Sequence, residues 1–146
     1  MERGWARRWR LAAAALVCVL AGLGIGRLVW PTGQPPQRVL ATVDLDALDG
    51  SQVLGQAQLL EQAGTTELRI SAAAMPASPG FVEVWLINND GTRMVSLGVL
   101  DAKDEVFAVP PVALAQGYRI VDLSRELYDN EPRHSGDSIM RGTLPA

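Results

Sequence analysis

Residues 11–30, LAAAALVCVLAGLGIGRLVW, carry a single charge, Arg27, and this run constrains the chain more than any other stretch. Twenty residues at about 1.5 Å of helical rise give roughly 30 Å, the thickness of a bilayer's hydrocarbon core. Arg27 lies about one turn from the outer end, where its methylene stem lets the guanidinium reach the headgroups. Trp5, Trp9 and Trp30 flank the run, as amphipathic indoles do at membrane interfaces. The expectation is one N-terminal transmembrane α-helix.

Charge orients it. Arg3, Arg7, Arg8 and Arg10 against Glu2 give the first ten residues a net charge of +3, which holds that end in the cytoplasm. The whole chain is −3, so with Arg27 counted, residues 28–146 carry −7. An acidic exterior repels phosphate backbones, and nucleic acid is excluded as a partner. A cleaved secretory signal is the rival reading. The run is long for one, and no small-x-small site follows it before the Gln/Pro stretch. Cys18 lies mid-span and is the only cysteine, so the exterior part has neither a disulfide nor a thiol nucleophile.

Four segments follow: a basic cytoplasmic tail (1–10), the span (11–30), a stalk (31–38) and an extracytoplasmic domain (39–146). Three prolines in PTGQPPQ, 31–37, favour an extended spacer. Beyond it the chain reads as short β-runs divided by turn residues. Strands are expected at Val39–Leu45, Val53–Glu61, Glu67–Ala74, Phe81–Asn88, Arg93–Leu100, Val106–Val109, Tyr118–Ser124 and Ile139–Leu144. Ala63 to Thr66 should form a hairpin turn, and Val112 to Gln116 one helical turn. About eight strands without crossover helices imply an all-β antiparallel sandwich.

The chemistry in these residues is sparse. A copper site needs a thiolate and two imidazoles, and a zinc site needs companions for its histidine; the exterior has one His and no Cys. No metal and no cofactor is expected. His134-Ser135-Gly136-Asp137-Ser138 contains every residue type of a nucleophilic triad, but neighbours in sequence rarely face one another and no G-x-S-x-G elbow exists. These side chains are read as binding loop amides, with no catalytic residue assigned. Asp122, Glu126, Asp129, Glu131 and Asp137 lack the spacing of a calcium loop and read as solvated acids. Glu83 stands in the apolar row of Phe81, Trp85 and Ile87, so it either points to an edge or pairs with Arg141 or Arg93. Glu83, Trp85, His134, Ser135, Gly136, Asp137, Ser138 and Arg141 form the candidate interaction or structural motif.

FVEVWLI (81–87), RMVSLGVL (93–100), the step from Phe107 to Pro110, YRIVDLSRELYDNEP (118–132) and HSGDSIMRGTL (134–144) resemble the C-terminal domain of the anti-sigma-K factor family. The resemblance covers roughly residues 39–144. It implies a regulatory or sensory module of a single-pass plasma-membrane protein, of a kind common in actinobacteria, released from its sigma factor by regulated proteolysis. In that family a cytoplasmic domain grips the sigma factor, and the ten residues MERGWARRWR cannot form one. Three explanations stay open: a separately encoded anti-sigma partner, a stand-alone exterior module with another role, or a native start upstream of Met1. Control of sigma-factor-dependent transcription is expected through such a partner, the sigma factor itself or a membrane protease. The alternative is a non-catalytic module that binds a cell-wall or membrane protein through the HSGDS loop.

Overall fold

From Arg38 onward, alternation of apolar and polar residues gives most segments one buried and one open face, and eight strands result. The computed structural model describes residues 35–73 and 79–146. The tail, the apolar run 11–30 and most of the stalk lie outside the described residues, as do Ala74 to Ser78 in the expected loop before Phe81. Among the described residues, no helix is long and apolar enough to cross a membrane.

The strands are β1 (Arg38–Ala47), β2 (Val53–Gln62), β3 (Thr65–Ala72), β4 (Phe81–Asn88), β5 (Met94–Val99), β6 (Asp104–Ala108), β7 (Tyr118–Glu126) and β8 (Ser138–Thr143). The one described helix is a single 3-10 turn, Leu114–Gln116. All pairings are antiparallel, in the order β5-β4-β7-β8-β1-β2-β3-β6. The all-β antiparallel expectation holds, in the form of one sheet curled nearly into a barrel. Leu45, Leu59, Leu68, Ile70, Val84, Leu86, Phe107, Val121, Leu123 and Met140 meet in a single core within it. β5 and β6, the two ends of the sheet, close over that core without a ladder between them.

Local corrections are small. The β2–β3 hairpin turns on Ala63 and Gly64 alone, at φ 51° and 80°, and Gln62 already pairs with Thr65. Two positive φ values match the twist of a two-residue hairpin turn, so the expected four-residue turn shortens and β3 starts earlier. β6 begins at Asp104 rather than Val106, because Asp104 is held by β3: Ser71 Oγ donates to its carboxylate at 3.0 Å and Arg69 Nε lies 3.7 Å away. β7 runs on to Glu126.

Strict alternation of direction puts β1–β2, β3–β4, β5–β6 and β7–β8 connections at one end, here the far end. The first residue of β1 and the other three turns lie at the leading end. Pro36–Ala146 forms one compact unit.

Candidate functional site

Chemistry concentrates on the outer face of β4, β7 and β8. Trp85 of β4 stands opposite Asp122 of β7, which stands opposite Arg141 of β8. Directly paired residues point to the same face, so the three form one cross-strand row. The connection 127–137 folds back over Trp85 and Asp122 of that row and removes those two from water, while Arg141 stays partly exposed. Asp122 and Ser124 have no exposed surface, and Glu126 has 5%.

Asp122 is the centre of the arrangement. Its carboxylate accepts from Arg141 Nε at 2.6 Å, from Ser138 Oγ at 2.9 Å and from His134 Nε2 at 2.8 Å. Arg141 also donates to Ser138 Oγ at 3.2 Å. The backbone fixes the state of the imidazole. Gly136 N–H can only donate, and it points at His134 Nδ1 from 2.9 Å. Nδ1 therefore carries the lone pair, Nε2 carries the hydrogen, and the ring is neutral. The His134 ring meets Trp85 edge-on, with centroids 5.2 Å apart. Trp85 is buried, and its own Nε1–H has no acceptor among the described residues.

Glu126 anchors the next turn of the connection. It accepts from Ser135 N–H at 3.0 Å and from the hydroxyls of Ser124 and Ser135. Ser135 Oγ also donates to Arg125 C=O at 2.8 Å and accepts from Asp137 N–H at 3.0 Å. Arg125 binds the Asp137 carboxylate at 2.5 Å. The HSGDS segment is thus a clamp of side chains on local amides and on two buried acids.

Both nitrogens of His134 are engaged, and neither touches a serine hydroxyl. In this arrangement the ring has no lone pair free to take a proton from Ser135 or Ser138, which is the first requirement of a nucleophilic triad. Among the described residues, no three His, Cys, Asp or Glu side chains converge to hold a metal ion.

The structure gathers Trp85, His134, Ser138 and Arg141 of the sequence motif around Asp122, and sets Ser135, Gly136 and Asp137 in the clamp beside them. Glu83 stands apart. Its partner is the hydroxyl of Ser96 on the neighbouring β5, not Arg141, which holds Asp122, nor Arg93, which lies over the Tyr118 ring and 3.9 Å from Asp90. Asp122 and Glu126 are corrected from solvated acids to buried acceptors; Asp129, Glu131 and Asp137 are exposed. The Arg133 guanidinium holds the exposed Glu131 carboxyl below the usual carboxylate range. The missed signal for Asp122 was its place between Val121 and Leu123 in a central strand.

Replacing His134 with alanine should loosen the connection rather than unfold the domain. It removes one of three donors to Asp122 and the acceptor for Gly136, for a loss of about 1–3 kcal/mol. Pulse proteolysis in urea reads the shift, and cleavage without denaturant should move into 127–137. An unchanged midpoint would mean that the clamp holds nothing.

The sequence matches the family described as "Anti-sigma-K factor rskA, C-terminal" over residues 10–138. The chain belongs to the anti-sigma-K factor C-terminal family. Comparison with curated proteins and with solved structures finds no match. Membership assigns a regulatory role, that of an anti-sigma factor, and implies a sigma factor as the partner class.

Proposed function

We propose that this member of the anti-sigma-K family is a single-pass plasma-membrane protein whose β domain lies outside the cell and governs proteolysis near the stalk, residues 31–38. The observation that carries this reading is the extent of the family match. It starts at residue 10, takes in the apolar run 11–30 together with β1 to β7, and ends at residue 138, where β8 begins. Basic residues ahead of the run and a net charge of −7 behind it favour the N-in, C-out orientation. The domain's part is regulatory: it receives a signal outside, and the consequence inside is release of a sigma factor, gripped directly or through a separate anti-sigma protein.

Two measurements test this. Ser51→Cys, in the exposed β1–β2 turn, should react with a membrane-impermeant maleimide in intact cells, whereas Cys18 should not. A C-terminally tagged chain should release a fragment beginning within 31–38 under envelope stress. No labelling of the engineered cysteine would sink the orientation, and no stalk fragment under any stress would sink the proteolytic role.

A further inference from the structure

The far end of the barrel carries an apolar groove that the clamp does not use. Phe81, Leu127, Tyr128 and Pro132 line it with Asn130 and Glu131, around a volume of 420 Å³. The Phe81 and Tyr128 rings lie 5.1 Å apart, and Tyr128 is 83% exposed. A large aromatic side chain left in water forgoes burial worth about 1.5–3 kcal/mol. Its face stays free for a partner.

Charge selects the occupant. The described far-end connections carry Asp49, Asp101, Asp129, Glu131 and Asp137 against Lys103 and Arg133, with Asp137 also held by Arg125 of β7, whereas the leading-end turns carry Asp90 balanced by Arg93. Glu131 in the lining is held by Arg133 at 2.8 Å. Asp129, next in the chain to the groove residues Tyr128 and Asn130, accepts from the Glu131 N–H at 3.0 Å and meets no cation among the described residues. A second copy of the chain would bring the same acidic end to this one, so self-association is disfavoured. An open aromatic face next to an unneutralised carboxylate suits a guanidinium or ammonium group, which gains from both. The apolar floor of Phe81, Leu127 and Pro132 suits an aliphatic neighbour of that cation.

We infer that this groove is a docking site for a cationic, extended segment of a partner protein, with an Arg or Lys over Tyr128 and against Asp129 and an apolar residue against Phe81. The partner would be the signal-bearing protein outside the cell. Only that setting rests on the exterior regulatory reading. Failure of stalk cleavage would remove the setting and leave binding intact, while failure of binding would leave the cleavage reading standing.

The test uses the full chain in detergent micelles and a fluorescein-labelled peptide of alternating arginine and leucine. Its glutamate–leucine counterpart and chitotetraose serve as competing probes. The arginine peptide should bind, weaken as salt is raised, and lose about tenfold in affinity with either Tyr128→Ala or Asp129→Asn. Asparagine keeps the acceptor for Glu131 N–H, and Tyr128 is exposed enough that its loss leaves the fold intact. Equal binding by the Tyr128 variant would reduce the effect to diffuse attraction by the acidic end and overturn the groove. Preference for the glycan or the glutamate peptide would overturn the class of partner, and no binding of the arginine peptide would overturn the inference outright.

Discussion

Replacing Arg141 with methionine is expected to destabilise the β domain by about 3–5 kcal/mol, the cost of leaving a buried charge without its counter-ion. Asp122 has no exposed surface, and Arg141 Nε holds its carboxylate at 2.6 Å. The other two donors cannot replace the lost charge. Ser138 is neutral, and the Gly136 N–H occupies His134 Nδ1, the nitrogen that a second imidazole proton would need. The Arg141 side chain is 40% exposed, so water screens part of the attraction and the lower half of the range is expected. Against a usual domain stability of about 5–15 kcal/mol, that is a large fraction. Adding Asp122→Asn to Arg141→Met should recover at least half of the loss, because the amide oxygen still accepts from His134 while the charge is gone. Urea midpoints from pulse proteolysis compare the variants. A double variant no more stable than Arg141→Met would show that the damage is lost packing rather than a stranded charge.

The same cluster marks how far sequence reasoning reaches. Local patterning was legible: FVEVWLIN gave β4 with its bounds, and Asn89-Asp90-Gly91 gave its turn, because both depend on alternation and on backbone preferences of neighbouring residues. The HSGDS side chains were legible as amide binders for the same reason, since their partners lie within a few residues. Their deeper partners were not. Asp122 lies 12 residues from His134 and 19 from Arg141, so the contacts exist only once β7 is seated between β4 and β8.

Burial was misread where the cover is tertiary. Asp122 and Glu126 belong to a strand whose outer face would be wet if 127–137 did not fold over it. Nothing in the spacing of the acids says that it does. For Glu83 the ion-pair alternative failed differently, while the side chain does turn to the edge strand β5. Its partner Ser96 depends on the register between β4 and β5, which shifts between Val84 and Trp85, and a shifted register cannot be read from a pattern of period two. The family resemblance carried information that these residue-level arguments could not, since role is not encoded in burial or register.

The second large effect is expected at Phe107, where the curled sheet closes. β5 and β6 share no ladder, so side chains rather than backbone bonds must seal the space between them. Phe107 of β6 is 6% exposed, and its ring lies against Gly98 of β5: a Cβ built on that glycine would meet ring carbons at 3.4 and 3.5 Å. Gly98 has φ 141°, a conformation that side-chain-bearing residues rarely adopt, so the bare backbone serves both the strand's path and the ring's approach. Phe107→Ala would empty the space on both sides of this contact, and about 3–5 kcal/mol of stability should be lost. The loss should also be uneven. Amides of β5 and β6 should exchange with deuterium well before those of β1 and β2, which have ladder partners on both edges. Hydrogen exchange read by mass spectrometry separates the two patterns. If protection fell evenly across all eight strands, the barrel would open as one unit and Phe107 would be an ordinary core residue. If it fell first at the free strands, closure of this domain rests on one ring packed against one glycine.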